Sequence, residues 1–349
     1  MKNKQVRDLA WVVNSPSLIQ QQSGWPIIAE TAKTPEDSWV DQWLLALDND
    51  PSALNQHLSK EKSHFLGTYF ESLWAFYLIS NPRYELIAKN LQANTKSRTE
   101  GEFDFIVVDK LAEQYIHQEI AIKFYLGLKH PNNHLFSDGE SIWLGPQCRD
   151  RLDLKMDKML STQIKLASRE SGKQALRSIN IDPDSSNFTT QLVMKGYLFY
   201  PPDRSVVAPN FCSRNHLRGQ WFKLDEFKAY IETHKFDAWA ILTKSEWVSQ
   251  HHIDTNITSQ DSAAAIEHQN HTGEVGSHNR KASDIDTNIF NQPPPCFFTD
   301  HADLLDTVNK KITTENRPWM VACLIQQKEG HHLEAQRLFV VPENWPYLD

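Results

Sequence analysis

The 349-residue sequence has no run of about 20 consecutive apolar residues, the length that a membrane-spanning helix requires. Its richest apolar run, from Ser72 to Ile79, is too short to cross a bilayer. The N-terminal residues Met1–Asp8 also lack the apolar segment of a secretory signal. These absences predict a globular protein of the cytoplasm with no membrane partner.

Cysteine is scarce, and the four cysteines are too far apart to form a Cys-x-x-Cys pair. This spacing disfavours a zinc knuckle and a disulfide framework, and it predicts free thiols. The sequence also has no Gly-x-x-x-x-Gly-Lys-Ser/Thr phosphate loop, no Gly-x-Gly-x-x-Gly and no Gly-x-Ser-x-Gly. The predictions of an ATPase, a dinucleotide-dependent dehydrogenase and an α/β-hydrolase lose support, and no nucleotide cofactor is expected.

Apolar residues are plentiful: 40% of the chain is hydrophobic, with 11 Trp and 17 Phe, which predicts a globular protein with a proper core. The formal net charge of −8 gives no overall attraction to nucleic acid, so such binding would need a local basic patch. Residues 149–177 contain eight Lys and Arg against four Asp and Glu. They form either such a patch or an ordinary solvated, ion-paired helix.

Helical spacing of apolar residues alternates along the chain with short strand-like runs rich in Ile, Val, Phe and Tyr. Helices are predicted over Val6–Val13, Asp37–Leu47, Lys60–Leu78, Leu152–Ala167, Leu224–Thr233 and Leu304–Ile312. Strands are predicted over Tyr84–Leu91, Glu102–Val108, Ile116–Phe124, Gln191–Tyr200, Ala238–Leu242, Trp319–Gln326 and Arg337–Val341. The second and third strands are joined by a connection short enough for an antiparallel hairpin. The fold class is therefore α/β or α+β, a central mixed sheet flanked by helices.

A polar segment interrupts this pattern at 249–295, which is rich in Ser, Thr, Asn, Gln, His and Asp and ends in three prolines. Its composition predicts a disordered insertion whose histidines have no fixed geometry for a metal. The predicted organisation is then an N-terminal helical extension over 1–59, an α/β core over 60–248, the insertion over 249–295, and a C-terminal helix and strands over 296–349 that pack on the core.

Charged side chains occur inside two of the predicted apolar strands, at Asp104, Glu119 and Lys123. A buried and unpaired charge costs several kcal/mol, so these residues need each other or a metal ion as partners. Side chains alternate along a strand, which puts Glu119 and Lys123 on one face. A hairpin that shares this face with Asp104 would bring two carboxylates and one amine together.

Two interpretations fit this cluster. The first is metal-assisted phosphodiester hydrolysis, in which carboxylates hold Mg²⁺ or Mn²⁺ and a lysine stabilises developing charge. The second is a structural salt bridge from Lys123 to Asp104 or Glu119.

The same residues resemble the PD-(D/E)XK nuclease-like superfamily, to which restriction endonucleases and Holliday-junction resolvases belong. The resemblance covers about 60–167 and follows the order helix, strand, Gly-Glu-Phe-Asp strand, Glu-x-x-x-Lys strand, helix. The wider sequence is similar to a bacterial domain-of-unknown-function family assigned to that superfamily. This similarity lies in Arg7-Asp-Leu-Ala-Trp11, Gly101-Glu-Phe-Asp-Phe105, Trp143-Leu-Gly-Pro146 and Arg149-Asp-Arg-Leu-Asp-Leu-Lys155.

The resemblance implies that Asp104 is the motif aspartate and Lys123 the motif lysine. The motif acid usually lies two residues before the lysine, where this chain has Ala121. Glu119 lies two residues further back on the same strand face and would substitute from about 6–7 Å away. The resemblance makes Glu71 a further metal ligand, whereas its helical position favours a solvated surface glutamate.

Arg149, Arg151, Lys155 and Lys158 lie where the resemblance places contacts to phosphates. The expected function is a Mg²⁺- or Mn²⁺-dependent nuclease acting on DNA or RNA. The alternative is an inactive nuclease-like fold that binds nucleic acid or protein without a metal, which Ala121 and the acidic net charge favour.

Overall fold

The computed structural model describes residues 1–28, 38–61, 63, 65–129, 141–185, 187–254, 295–327 and 331–347. The chain forms two compact units, unit 1 from Met1–Arg218 with Pro346–Asp349, and unit 2 from Gly219–Trp345. Most of the predicted insertion, residues 255–294, lies outside the described residues. Of its described part, His252–Asp254 forms a strand.

The fold is mixed α/β, as the sequence predicts, with eight helices and twelve strands among the described residues. None of these helices is long and apolar enough to cross a membrane. The four cysteines are free thiols, as predicted. Unit 1 contains helices α1 (Lys4–Asn14), α2 (Val40–Asn49), α3 (Ser52–Leu58), α4 (Leu66–Ser80), α5 (Leu152–Lys158) and α6 (Glu170–Ser178). Its strands are β1 (Ile27–Ile28), β2 (Tyr84–Asn94), β3 (Thr99–Asp109), β4 (Gln114–Lys129), β5 (Ser141–Leu144) and β6 (Phe188–Tyr200).

The long strand β4 is central in the sheet of unit 1, where the strand order is β6, β4, β3, β2. It pairs antiparallel with β3, which confirms the predicted hairpin, and parallel with β6. The β3–β4 register extends from Asp109 opposite Gln114 to Phe105 opposite Gln118. The candidate site begins where this register ends.

Helices cover both faces of β4. On one face, α4 is apolar on nearly all sides, and its Trp74 Nε1 donates a hydrogen bond to Gln118 Oε1 at 2.9 Å. On the other face, Ala121 and Tyr125 pack in one apolar cluster with Met156 of α5 and with Met159. Successive side chains of β4 point to opposite faces of the sheet and therefore contact different helices.

The segment after β5 differs from its prediction as a single helix over 152–167. The α-helix ends at Lys158 and continues as a π-helical turn, Met159–Gln163, and then as a 3₁₀ turn, Leu166–Ser168. A π-helical turn has one extra residue per turn, so it rotates the residues after it about the helix axis. Gln163 reaches the candidate site from this turn.

Close contact between β4 and β6 depends on Gly196, which lies opposite Lys123 in the register. Its φ of +140° is one that side-chain-bearing residues rarely adopt, and a Cβ atom there would lie 1.7 Å from the Lys123 carbonyl oxygen. A glycine is therefore required beside the predicted motif lysine.

Unit 2 has its own antiparallel and parallel strand pairs and its own core. Its elements are β7 (Leu217–Lys223, of which the first two residues belong to unit 1), α7 (Leu224–Thr233), β8 (Ala238–Leu242), β9 (His252–Asp254), β10 (Cys296–Phe298), α8 (His301–Glu315), β11 (Trp319–Gln326) and β12 (His331–Val341). The strand order is β10, β8, β11, β12, β7, and β9 pairs with β12. Phe227 of α7 and Leu304 and Val308 of α8 pack in the core cluster of this unit. The Asp300 carboxylate caps α8 by accepting the Ala302 N–H at 2.7 Å.

Candidate functional site

Two carboxylates, Asp104 of β3 and Glu119 of β4, lie beside each other where the two strands stop pairing. The Ile120 N–H donates to Asp104 Oδ2 at 2.9 Å, so the aspartate side chain occupies the place of a backbone acceptor in the ladder. This bond fixes Asp104 next to the segment that carries Glu119. The structure therefore brings together the two acids that the sequence predicts to meet if the hairpin register puts them on a shared face.

Both carboxyl groups lie in a poorly solvated place. Burial and, next to it, the nearby charge of Glu119 raise the pKa of Asp104 to about 7. Burial likewise raises the pKa of Glu119 to about 7, and that side chain is only 1% exposed. Carboxyl groups that titrate near neutrality are typical of sites that move protons or bind cations.

Lys155 of α5 is a cation that faces this pair. Burial lowers the pKa of Lys155, while the negative charges of Glu119 and Asp104 act to raise it. Its Nζ donates to Gln163 Oε1 at 3.1 Å, and Gln163 Nε2 in turn donates to Glu119 Oε1. The sequence places Lys155 only among phosphate contacts, whereas the structure connects it to the carboxylate pair through one amide side chain.

Lys123 lies on the same face of β4 but has a different partner. Its Nζ forms an ion pair with Asp150 Oδ2 at 2.6 Å, and the Tyr125 hydroxyl donates to the same oxygen at 3.2 Å. The salt bridge of the second interpretation, from Lys123 to Asp104 or Glu119, is absent among the described residues. Lys123 is nevertheless close enough to lower the pKa of Lys155 by repulsion.

Glu71 of α4 lies near the pair and is not fully solvated. Burial raises the pKa of Glu71 to about 7, and the charge of Asp104 is the next cause. The helical position of Glu71 shows only which face of α4 it occupies, and on that basis it favours a surface glutamate. It does not show that Asp104 of β3 lies near this face. Glu71 thus lies within electrostatic range of Asp104, which in turn lies beside Glu119.

His117 is a member of the site that the sequence interpretation misses. It is fully buried on β4, and its Nε2 lies 3.7 Å from Glu119 Oε2. Burial lowers the pKa of His117 to about 4, so the imidazole is neutral at pH 7. The available signal is its position two residues before Glu119, which puts both side chains on one strand face.

The four basic residues predicted to meet phosphates have different environments. Arg149 and Lys158 are exposed, and Arg151 is paired with Asp153 at 2.5 Å. Lys155 approaches both carboxylates, and the charge of Lys158 also acts to lower the pKa of Glu119. The basic residues of α5 and of the segment before it are thus partly ion-paired and partly available to a ligand.

The position at which the motif acid usually lies holds a residue of the apolar core. Ala121 is 8% exposed and belongs to the apolar cluster beneath α5. Glu119, one step along the same face, is the acid that lies against Asp104.

The donor set fits a hard divalent cation. Among the described residues no group of three or more His, Cys, Asp or Glu side chains is arranged to hold a metal ion. Mg²⁺ commonly takes only one or two protein carboxylates and fills its other positions with water and phosphate oxygens. The Glu119 Oε2 atom is buried and accepts no hydrogen bond from a described residue, which leaves it available as a ligand.

We expect Asp104→Asn to raise the free energy of unfolding at pH 8 by about 1–2 kcal/mol, and to raise it less at pH 5. The folded-state pKa of Asp104, about 7, lies above its ordinary value, so the wild type loses stability as the pH rises through about 7. Asparagine keeps the acceptor for the Ile120 N–H and removes the charge. Urea unfolding at both pH values measures the difference.

The control is Glu85→Gln, which neutralises an exposed carboxylate on β2 and is expected to leave both values nearly unchanged. If Asp104→Asn is no more stable than the wild type at pH 8, ionisation of Asp104 does not destabilise the folded state.

Comparison with known proteins gives one family. The family described as Domain of unknown function (DUF1853) matches residues 7–280. No curated protein and no solved structure matches the chain.

Proposed function

The chain belongs to the Domain of unknown function (DUF1853) family, whose description states no activity, and from its site we propose a Mg²⁺-dependent nuclease that hydrolyses phosphodiester bonds. The observation that carries the proposal is the pair Asp104 and Glu119, held at the end of the β3–β4 register with Lys155 facing it. Metal-dependent phosphate chemistry requires oxygen ligands for the divalent metal, and a nearby ammonium group can stabilise the phosphate.

Asp104 and Glu119 would hold the metal, with Glu71 near enough to add its charge. When bound, Mg²⁺ lowers the pKa of a water molecule and neutralises charge on the phosphate. The Ile120 N–H fixes the Asp104 carboxylate, and Gln163 fixes that of Glu119. Both ligands are thereby oriented by neighbouring groups, which metal sites generally need.

Lys155 is the ammonium best placed to stabilise a phosphate at this site. It approaches both carboxylates, whereas Lys123 is paired with Asp150. Exposed Arg149 and Lys158 would bind neighbouring phosphates of the backbone, which orients a strand without selecting its sequence.

The order of elements supports the proposal by resemblance. Helix α4, strands β2, β3 and β4, and helix α5 follow the order of the PD-(D/E)XK core, with Asp104 on β3 and Lys123 on β4. The departure at Ala121 is offset by Glu119, since this acid rather than residue 121 lies against Asp104.

A second candidate function is a metal-independent module that binds nucleic acid or protein. Two observations favour it: Ala121 is part of the apolar core, and Asp150 neutralises Lys123. In that case the carboxylate pair is a remnant without affinity for a metal.

Calorimetric titration with Mn²⁺ separates the two functions without a choice of substrate. We expect wild-type protein to bind Mn²⁺ and Asp104→Asn to lose at least about tenfold in affinity, because one of two charged ligands is gone. The exposed Glu85→Gln variant is the matched control and should bind as the wild type does.

Equal binding by wild type and Asp104→Asn would move the metal elsewhere and refute this site. Absence of Mn²⁺ binding to the wild type, alone and with a phosphorothioate oligonucleotide present, would favour the metal-independent module.

A further inference from the structure

A cavity of about 350 Å³ lies in unit 1 near the end of β6, and none of the carboxylate-site residues lines it. Its lining includes Arg214, His216, Arg218 and Tyr200 on one part and the apolar segment 206–209 on another. No Asp or Glu is among the lining residues that the structure describes. The volume is in the range of small-molecule sites.

The wall of this cavity is held by paired backbone segments. Ile19 and Cys212 form an isolated antiparallel bridge. The Gln20 N–H donates to the Phe211 carbonyl at 2.9 Å, and the Ser213 N–H donates to the Leu18 carbonyl at 3.0 Å. The cavity is therefore formed before any ligand arrives, which lowers the entropy cost of binding.

A chain of hydrogen bonds holds the ring of Tyr200, which lines the cavity, in place. His216 Nδ1 donates to the Ser213 carbonyl, which only accepts, so His216 Nε2 accepts from the Tyr200 hydroxyl at 2.8 Å. Burial lowers the pKa of His216, so the ring stays neutral in this tautomer. The rings of Trp143 and Tyr200 pack in a T-shaped arrangement with centroids 5.0 Å apart.

Arg218 lies over this fixed ring, with its guanidinium carbon 4.9 Å from the Tyr200 centroid. Arg214 is exposed at the same cavity. Within the part of the chain that the structure describes, neither guanidinium has a carboxylate partner. Their N–H groups are therefore available to a ligand, in a chain whose net charge of −8 gives no general attraction to anions.

We propose that this cavity binds a phosphomonoester, with Arg218 and Arg214 on the phosphate and segment 206–209 against the organic part. Two guanidinium groups match the two negative charges of a phosphomonoester better than the single charge of a carboxylate. Contact with the fixed Tyr200 ring limits the positions open to the Arg218 guanidinium, whose planar fork can form two parallel hydrogen bonds to a phosphate. The cavity volume accommodates a ligand of the size of a nucleoside monophosphate.

The test uses calorimetry with adenosine 5′-monophosphate and inorganic phosphate as probes, in the presence of EDTA. Because no metal is present, its outcome is separate from that of the proposed nuclease. We expect the wild type to bind the monophosphate but not adenosine, and Arg218→Gln to bind at least about tenfold more weakly. Arg218→Lys keeps the charge but not the fork, and its affinity should fall between the two.

The matched control is Arg98→Gln, which removes one charge from an exposed arginine that does not line the cavity. Its affinity should equal that of the wild type, and equal weakening of both variants would reduce the effect to net charge and overturn the proposal. Absence of binding by the wild type, or unchanged binding by a folded Arg218→Gln, would also overturn it. Melting curves report folding independently.

The phosphate group has two sources, a free small molecule or the end of a nucleic acid. A 5′-phosphorylated oligonucleotide that binds more tightly than both the monophosphate and its own 5′-hydroxyl form assigns the source to nucleic acid. Equal affinity for the oligonucleotide and the monophosphate assigns it to the free molecule.

Discussion

Replacement of Arg337 by methionine is expected to lower the free energy of unfolding by about 3–5 kcal/mol, because it leaves a buried carboxylate without its cation. Arg337 is 2% exposed, and its Nε and Nη2 donate to both carboxylate oxygens of Glu334 at 2.7 Å. Its guanidinium also donates to the carbonyls of Trp247 and Ser249 at 2.5 and 2.6 Å. One side chain thus connects β12 to the segment that precedes β9.

Urea unfolding of three variants tests this account. The double variant Arg337→Met with Glu334→Leu should recover much of the loss, because an apolar pair of similar volume replaces a desolvated ion pair at little cost. Arg177→Met removes an exposed partner of Asp184 and should cost no more than about 1 kcal/mol. A loss of the same small size in Arg337→Met would show that the buried pair contributes no more than a surface one.

Glu119→Gln is expected to reduce metal-dependent cleavage of nucleic acid by at least about a hundredfold. The substitution keeps the shape of a side chain that is 1% exposed, and it removes the charge that the proposed metal requires. Gel assays on single- and double-stranded DNA and RNA with Mg²⁺ or Mn²⁺ measure the effect, and EDTA should abolish wild-type cleavage.

Glu85→Gln is the control and should cleave at the wild-type rate, since its side chain is exposed on β2. Cleavage by Glu119→Gln at the wild-type rate would exclude this carboxylate from the reaction. Comparison of Lys155→Met with Lys123→Met adds a test of placement: the larger loss should occur at Lys155, because Asp150 already holds Lys123.

The sequence predicted the element types well where periodicity was strong. Helix α7 and strands β8 and β11 have the predicted bounds, and β3 and β4 form the predicted antiparallel pair. The predictions failed where a local signal was weak. Helix α3 was not predicted, and α4 begins at Leu66 rather than residue 60, because Phe65 has extended backbone.

For the site, the sequence by itself singled out Asp104 and Glu119 as acids on adjacent strands, which would cluster if the hairpin register put them on a shared face. Only the tertiary structure decided their neighbours. Periodicity reports which way a side chain points, not which helix covers it. The approach of Lys155 through Gln163 and the partnership of Lys123 with Asp150 both depend on how the chain after β5 packs back on β4.

The cavity depends on the tertiary structure even more than the carboxylate site does. The segments around Leu18, Tyr200 and Arg218 are far apart in sequence and carry no motif, so composition and spacing could not bring them together. Backbone pairing between the residues after α1 and those around Cys212 does so, and it leaves Arg218 over a fixed aromatic ring with Arg214 in the lining of the same cavity. The sequence determined the class of fold and the acids of one site, whereas three-dimensional packing decided the cations of both sites, because their partners come from distant parts of the chain.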